Sequence, residues 1–165
     1  MNYLWSPWRM SYILNPQEEG CAFCNAIAHR PDGPENLIVY RSQRAFVILN
    51  RYPYNSGHLM VVPYKHCPSL DGLDPETRAE MMELTNDCVQ LLQTEHNAQG
   101  INIGINIGNA AGAGIPQHIH LHIVPRWTGD ANFISTIGET RVVPEALEET
   151  YTRIWESWER VKREA

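Results

Sequence analysis

One stretch decides the fold of this chain: Gln117-His118-Ile119-His120-Leu121-His122-Ile123-Val124-Pro125-Arg126. Histidines alternate here with bulky apolar residues, a period-2 pattern typical of a β-strand. Successive side chains of a strand point to opposite faces, so His118, His120 and His122 are predicted to share one face. Same-face neighbours lie roughly 7 Å apart, close enough for one ligand phosphate or metal ion to contact two of them. A solvated strand face normally carries Lys, Glu, Thr or Ser, so three histidines there indicate a chemical site.

Four more segments upstream have the composition of strands. Short β-branched and aromatic runs cover 37–40 and 45–49, and an apolar run covers 58–63. Isoleucines alternate with small or polar residues over 101–107. Together with the histidine stretch, these segments predict a sheet of about five strands.

A long helix is predicted between the third and fourth of these segments. Asp74 is the expected N-cap, with Pro75 at the first helical position. Apolar residues keep helical spacing down to about Ala98, where Gly100 is the expected C-cap. The same spacing predicts a C-terminal helix within 140–165. This order favours an α+β fold with a mainly antiparallel sheet, one long central helix and a C-terminal helix.

Composition indicates one globular domain over 1–165. An aromatic N-terminal arm, 1–20, is expected to pack against the body of the protein or a second subunit. The chain has no apolar run long enough to span a membrane and no signal-peptide layout at its start, so the cytoplasm is the expected compartment. A net charge of −6, without a basic block, argues against nucleic acid and anionic membranes as partners.

Four cysteines are present, and their spacing bears on their use. In a cytosolic chain the Cys21-x-x-Cys24 spacing suggests metal binding or redox chemistry rather than a structural disulfide. Cys67 and Cys88 are predicted to be packing residues. His29 and His96 are predicted to lie at the solvated surface.

The small-residue loop 108–114 precedes the histidine strand. Residues without bulky side chains let backbone N–H groups approach a phosphate, and glycine permits the conformations that form anion-binding nests. The loop lacks the Gly-Lys-Ser/Thr of a Walker motif, and a strand follows it where a dinucleotide-binding loop would lead into a helix. An anion cradle beside histidine predicts phosphoryl or nucleotidyl transfer, because neutral imidazole is available near pH 7 and can attack phosphorus.

Motifs along the chain resemble those of the histidine triad (HIT) family. The string His118-Ile119-His120-Leu121-His122-Ile123-Val124 is similar to the signature of that family, His-φ-His-φ-His-φ-φ. Further landmarks occur in the family's order: 46–50, 56–63, Lys65-His66 and 106–108. The stretches 4–13 and 117–133 resemble the bacterial branch that contains diadenosine tetraphosphate phosphorylases.

This resemblance implies roles for individual residues. The middle histidine, His120, would be the nucleophile, His122 would contact the α-phosphate, and His118 would fix the strand or bind metal. The implied nucleotide site would use side chains and backbone from several segments: Phe46 and Leu49 at the base, Asn50 at the ribose, His58 to orient the site, and Asn106, Gly112 and Ala113 at the phosphates.

The chain departs from the family pattern at one position. Many members carry a glutamine four residues before the first histidine, where it contacts the leaving group. This chain has Gly114 there, and Gln117 is the candidate substitute. This departure leaves open which leaving group is preferred, and it does not affect the assignment of the nucleophile.

A structural zinc is the metal that the resemblance implies. Zinc requires four N or S ligands, and Cys21 and Cys24 supply two. In metal-binding relatives the set is completed by residues that correspond to His66 and His118. Two alternatives stay open: a reduced, unliganded thiol pair, and a catalytic zinc held by the three histidines of the triad.

The predicted function is therefore cleavage of a dinucleoside polyphosphate, most simply diadenosine tetraphosphate, through a nucleotidyl-histidine. Inorganic phosphate or water would accept the nucleotidyl group, and the branch resemblance favours phosphate. No organic cofactor is expected, and magnesium accompanying the substrate is compatible with this chemistry. The alternatives are a nucleoside phosphoramidate hydrolase and a nucleotide-binding regulatory module without turnover. The family resemblance also implies a homodimer.

Overall fold

The computed structural model describes residues 20–130 and 145–164. Five strands in these residues form one sheet: β1 (Ile38–Arg41), β2 (Ala45–Leu49), β3 (Leu59–Pro63), β4 (Gly100–Ile105) and β5 (Leu121–Arg126). Their spatial order is β1-β2-β3-β5-β4, and each neighbouring pair is antiparallel. The same described residues contain three α-helices: α1 (Ala22–Ala28), α2 (Pro75–Glu95) and α3 (Leu147–Glu164). The predicted α+β class is confirmed, whereas the predicted N-terminal arm, apart from Gly20, lies outside the described residues.

The centre of the sheet is the β2–β3 hairpin. All five residues of each strand are buried, and they pair without interruption from Ala45 opposite Pro63 to Leu49 opposite Leu59. A short run that is apolar at every position is typical of a strand covered on both faces. In the connecting turn, the backbone N–H of Asn50 donates to the carbonyl of His58 at 2.8 Å. This bond holds the start of β3 beside the end of β2.

The long helix begins as the sequence predicts. The Asp74 carboxylate accepts a hydrogen bond from the backbone N–H of Thr77 at 2.8 Å, and Pro75 occupies the first turn. The predicted C-cap at Gly100 is wrong. The helix ends at Glu95, Asn97 takes a left-handed conformation with φ 52, and Gly100 is already the first residue of β4. Asparagine tolerates that conformation better than most residues, so the chain turns three residues earlier than expected.

Both long helices cover one face of the sheet. α2 packs on β2, β3 and β5, while α3 packs on α2 and β1. The Tyr151 hydroxyl donates to the carbonyl of Ile38 at 2.9 Å, and the Trp158 ring stacks on Tyr40 with centroids 5.1 Å apart. Tyr151, Ile154 and Trp158 of the predicted apolar stripe therefore face the core, whereas Trp155 is 42% exposed. None of the three helices combines the length and the apolar character that a bilayer span would need.

The histidine strand is shorter than predicted. β5 begins at Leu121, so His118 and His120 lie in the segment that leads into it, and His122 belongs to the strand itself. The cause is a change of hydrogen-bond partner. The backbone N–H of Ile119 donates to the carbonyl of Cys67 at 2.7 Å, and the ladder between β3 and β5 stops at Val61 opposite Leu121.

Gly57 lies in the turn before β3, and its replacement by alanine is expected to destabilise the fold by about 2 kcal/mol. Its φ is +81, and an added Cβ would lie 3.3 Å from Leu92 Cδ2 and 3.5 Å from Pro125 Cγ. Urea unfolding measures the difference. Gly104→Ala is the matched control, because its Cβ would meet nothing within 4 Å. Equal losses in the two variants would contradict this account of the turn.

Candidate active site and metal site

Two histidines from different elements form a hydrogen-bonded pair in the site. His58, in the turn before β3, lies with Nε2 2.9 Å from Nδ1 of His122 on β5. The backbone N–H of Tyr54 donates to Nδ1 of His58 at 3.1 Å, and the Asn50 amide nitrogen lies 3.2 Å from the same atom. Nδ1 of His58 is thus an acceptor, so its Nε2 carries the proton and donates to His122. His122 accepts at Nδ1 and keeps a proton on Nε2.

Both of these imidazoles are neutral at physiological pH. Burial, and then the neighbouring His122 and His120, lowers the pKa of His58 to about 3. Burial, and then His120, lowers the pKa of His122 to about 4. A buried imidazole resists protonation because the low-dielectric surroundings disfavour the cation. His122 therefore presents an N–H donor without carrying a positive charge.

His120 has the opposite tautomer. Its Nδ1 lies 2.9 Å from the carbonyl of His118, and a carbonyl only accepts, so Nδ1 carries the proton and Nε2 keeps a lone pair. The side chain is 3% exposed and its ring lies 4.8 Å from that of His122. Burial lowers the pKa of His120, which keeps Nε2 unprotonated. One imidazole with a free lone pair thus stands beside another with a free N–H.

The turn that carries His58 is anchored to the end of β5. The Asn55 amide nitrogen donates to the Pro125 carbonyl at 2.9 Å and to the Asp130 carboxylate at 2.8 Å. Arg126 binds both carboxylate oxygens of Asp130, at 2.7 and 2.8 Å, and this bond holds the pKa of Asp130 well below its usual range. The segment 126–130, which carries part of the branch resemblance, therefore braces the site.

Four predicted ligands converge at a second position. The ligand atoms of Cys21, Cys24, His66 and His118 all lie within 4.8 Å of one another. His118 Nδ1 is 3.3 Å from Cys21 Sγ and 3.7 Å from Cys24 Sγ, and His66 Nδ1 is 3.3 Å from Cys24 Sγ. A tetrahedral zinc with ordinary bond lengths separates its ligand atoms by roughly 3.4–3.8 Å.

The tautomer of His118 also suits a metal. His118 Nε2 lies 2.9 Å from the Pro63 carbonyl, so it carries the proton and leaves Nδ1 unprotonated toward the thiols. Burial, followed by the hydrogen bond and charge of Cys21, raises the pKa of the Cys24 thiol. The raised pKa favours the thiol, so the thiolate that binds metal forms only when a cation lies beside it. The donor set, two sulfurs and two imidazole nitrogens, fits zinc.

The strand register corrects one predicted nucleotide contact. Ile48 pairs with Met60, which pairs with His122, so these three residues share a face of the sheet. Phe46, two residues before Ile48, lies on that face as well. Leu49 is adjacent to Ile48 and therefore points to the helix-covered face, away from the histidines. The sequence analysis missed Ile48 and Met60. Ile48 could have been identified because it lies two residues before Asn50, whereas Met60 follows only from the strand pairing.

The small-residue loop also differs from the prediction. Residues Asn109–Ala111 form a 3₁₀ turn between Gly108 and Gly112, both with φ +81. The N–H groups of Ala111 and Ala113 donate to the Gly108 carbonyl, and that of Gly112 to the Asn109 carbonyl. The Gly112 and Ala113 amides thus bond within the loop in this structure, and the approach of these two residues to a phosphate chain stays a prediction. Of the other predicted contacts here, Asn106 is half-buried, while Gly114 and Gln117 are exposed.

Comparison with known proteins connects this geometry to a family. Residues 33–129 match the HIT domain. The chain belongs to the HIT domain family. A curated relative, the AP-4-A phosphorylase of Mycobacterium tuberculosis, is 37% identical over 164 residues, which cover 95% of this chain and 84% of the relative.

Solved HIT structures share the fold of this chain. A zinc-bound histidine triad family protein from Mycobacterium smegmatis has a TM-score of 0.71 and 28% identity, and the match covers 88% of this chain and 97% of that one. A hypothetical histidine triad nucleotide-binding protein from Sulfolobus tokodaii has a TM-score of 0.65 and 33% identity, with 87% and 95% covered.

Two aromatic residues of this HIT site escaped the sequence analysis. Phe23, on α1, is 3% exposed and lies with its ring 5.4 Å from that of His118 and 4.9 Å from that of His120. Tyr54 is 45% exposed, and its ring lies 4.6 Å from His58 and 5.9 Å from His122. Phe23 carried a signal, since it stands between Cys21 and Cys24. Tyr54 carried none, because a turn tyrosine is common at surfaces.

His96 corrects a further prediction. His29 is exposed as expected, but His96 is 6% exposed, at the end of α2 beneath the turn of Gly57. Among the described residues its Nε2 has no hydrogen-bond partner. Burial, and then the charge of Arg153, lowers the pKa of His96 to about 4.

The stability of this HIT domain is expected to fall as the pH is lowered from 7 to 5. An unfolded histidine has a pKa near 6.5, so between that pH and about 4 the unfolded chain binds a proton that folded His96 does not. The contribution of His96 is complete above pH 6.5 and is lost as the pH falls, by about 2 kcal/mol at pH 5. Urea unfolding at several pH values should show a flatter profile for His96→Gln. An unchanged profile, equal to that of the exposed control His29→Gln, would contradict the burial of His96.

Proposed function

We propose that this chain is a nucleotidyltransferase that cleaves dinucleoside polyphosphates, with diadenosine tetraphosphate as its substrate and inorganic phosphate as acceptor. The observation that carries the proposal is the pair of complementary tautomers. His120 presents a lone pair on Nε2 while His122 presents an N–H on Nε2, 4.8 Å away between ring centroids. The similarity to the AP-4-A phosphorylase of M. tuberculosis supports the substrate and the acceptor.

The first displacement forms a bond between phosphorus and nitrogen. His120 Nε2 attacks the α-phosphorus, the bond from that phosphorus to the bridging oxygen breaks, and ATP leaves with the bonding electrons. The imidazole then carries both the nucleotidyl group and its Nδ1 proton, and the positive charge is stabilised by the His118 carbonyl. The His122 N–H stabilises the charge that develops on the α-phosphate oxygens.

The second displacement releases the nucleotidyl group. An oxygen of inorganic phosphate attacks the same phosphorus, the P–N bond breaks, and the electrons return to His120 Nε2. The products are ADP and a regenerated neutral imidazole. With water as acceptor the same step yields AMP. Splitting one displacement into two is the advantage of a covalent nucleophile.

A product-resolved reaction tests the proposal. Diadenosine tetraphosphate is incubated with the protein, with and without inorganic phosphate, and the nucleotides are separated. ADP and ATP formed only with phosphate are expected. AMP and ATP formed without phosphate would favour a hydrolase. Binding without products would overturn the proposal in favour of a regulatory module, and cleavage of a nucleoside phosphoramidate alone would favour P–N hydrolysis.

We infer that the four converging ligands hold a structural zinc. Cys21, Cys24, His66 and His118 come from three separate segments, so a bound ion would cross-link the start of α1, the end of β3 and the approach to β5. A reducing compartment such as the cytoplasm keeps both thiols available as ligands. Nδ1 of His118 faces the thiols, its Nε2 donates to the Pro63 carbonyl, and its own carbonyl accepts from His120. His118 therefore has no ring nitrogen left for a catalytic zinc shared by the three histidines of the triad.

We propose further that the chain forms a homodimer through β4. This strand is the last of the described sheet and pairs with β5 on one side. Ile103 is 51% exposed on β4, and Ile107, just beyond it, is 48% exposed. An apolar strand at a sheet edge is a template for pairing with another chain. Two copies that join at this edge would form one continuous sheet.

Ile103→Lys is expected to convert the dimer into a monomer, because a charge on the edge strand opposes pairing. Sedimentation velocity measures the change. The control is Met82→Lys, which changes an equally exposed apolar residue on α2. A wild-type monomer, or a dimer that survives Ile103→Lys, would contradict the proposed interface.

A further inference from the structure

We propose that the metal centre positions the nucleophile, with Phe23 and the His118 backbone as the two links between them. The inference rests on the proposed function in one respect, the nucleophilic role of His120. It goes beyond that function by making the metal site part of the catalytic geometry. Phe23 is accordingly a positioning residue, since it acts on His120 rather than on the substrate.

The first link runs through His118. Its Nδ1 faces the thiols of Cys21 and Cys24 at 3.3 and 3.7 Å, and its Nε2 donates to the Pro63 carbonyl at 2.9 Å. The carbonyl of the same residue accepts the Nδ1 proton of His120 at 2.9 Å. A metal that holds the His118 ring therefore also fixes the acceptor that selects the tautomer of His120.

The second link is the ring of Phe23. It stands in sequence between the two thiol ligands, is 3% exposed, and contacts the rings of both His118 and His120, with centroids 5.4 and 4.9 Å apart. The His118 contact is edge-on and the His120 contact is tilted. Phe23 thus forms one wall of the space that the nucleophilic ring occupies.

The helix that carries Phe23 depends on outside support. α1 has seven residues, its N-cap Cys21 makes no side-chain cap bond, and its first turn has no acidic residue. A helix this short is not stable by itself in water. Arg41 holds the C-terminal end of the helix through the Ile27 carbonyl at 3.1 Å. Both thiol ligands lie in the first turn or cap, so a metal bound by them would supply the support at the N-terminal end.

The ligand segments are also joined to each other. His66 lies 3.3 Å from Cys24 Sγ, and the residue after it, Cys67, accepts the N–H of Ile119, the residue after His118. The metal and this backbone bond fasten the same two segments side by side. Loss of the ion would leave the approach to β5 held to the end of β3 by this backbone bond and by the bond from His118 Nε2 to the Pro63 carbonyl.

A kinetic cycle tests the coupling. Wild type and Phe23→Ala are each assayed for diadenosine tetraphosphate cleavage with zinc and after chelation. In wild type, chelation is expected to lower kcat about 10²-fold, with little change in KM, because a small displacement of a catalytic group has that effect. In Phe23→Ala, kcat is already low and chelation is expected to lower it less than about tenfold further. If chelation lowers kcat by the same factor in Phe23→Ala as in wild type, the two changes act independently and the proposed coupling is overturned.

A second measurement does not depend on turnover. Nuclear Overhauser contacts between the Phe23 and His120 ring protons are expected in the zinc-loaded protein and lost after chelation, then restored by zinc. Contacts that persist unchanged without metal would overturn the proposal. This result is independent of whether diadenosine tetraphosphate is the substrate, so it separates a failure of the coupling from a failure of the proposed function.

Two further variants guard against general loss of structure. Leu91→Ala removes a side chain that is 1% exposed on α2, and its kcat is expected to keep the full dependence on zinc. His66→Asn removes the exposed ligand and is expected to weaken zinc binding while the chain stays folded. This variant therefore replaces chelation if the metal-free protein unfolds. Loss of zinc dependence in Leu91→Ala, or full kcat in His66→Asn without bound zinc, would contradict the proposal.

Discussion

Replacing His120 by asparagine is expected to lower kcat for diadenosine tetraphosphate cleavage by at least about 10⁴-fold. The amide has no lone pair on nitrogen that can attack phosphorus, so the nucleotidyl-enzyme cannot form. Asparagine can still occupy the position beside the His118 carbonyl, to which His120 Nδ1 donates at 2.9 Å. Substrate binding, measured by calorimetry, is therefore expected to stay within about threefold of wild type.

His122→Asn is the matched comparison. This residue is expected to stabilise charge rather than form a bond, so its loss should lower kcat by about 10²–10³-fold. The ranking of the two variants follows from the tautomers, because His120 keeps a lone pair and His122 keeps an N–H. A His120→Asn enzyme more active than His122→Asn would contradict the assignment of the nucleophile.

Replacing Cys24 by alanine is expected to abolish zinc binding and lower the melting temperature by about 10 °C. Cys24 contacts both imidazole ligands, at 3.3 Å from His66 and 3.7 Å from His118, so its loss leaves an incomplete site. Metal present at about a thousand times its Kd stabilises a folded protein by about 4 kcal/mol. Metal analysis and thermal unfolding with and without chelator give the two readouts.

Cys88→Ala supplies the control for that experiment. Cys88 is fully buried on α2, on the helix-covered side of the sheet and outside the ligand cluster. The variant is expected to lose some stability from the smaller side chain and still bind one zinc per chain. Its melting temperature should also fall on chelation, as in wild type. Zinc retained at full occupancy by Cys24→Ala would refute the four-ligand site.

Local sequence patterns predicted much of the fold. The continuous apolar runs predicted the central hairpin, and Asp74-Pro75 predicted the start of α2, because capping and strand burial depend on a few adjacent residues. The end of α2 was missed because Asn97 takes a left-handed conformation that glycine more often takes. The histidine strand was predicted to be longer than it is. The backbone N–H of Ile119 donates to the Cys67 carbonyl outside the sheet, so the strand pairing does not extend to this residue.

Site residues were predictable from the sequence where they belong to a motif, and less predictable where tertiary packing sets their position. The four metal ligands came together as expected from the resemblance. Leu49 was misassigned because counting residues from a motif ignores which face of the strand each one occupies. His96 was taken as exposed because nothing local marks a helix-end histidine that the turn of Gly57 covers.

The covalent intermediate on His120 is the central claim, and the stereochemical course at phosphorus tests it most directly. A dinucleoside tetraphosphate is made chiral by sulfur at the α-phosphorus, and the configuration of the nucleoside diphosphate product is determined. Two in-line displacements each invert the centre, so retention is the expected result. Net inversion would mean that the acceptor attacks the substrate directly, and it would contradict the account.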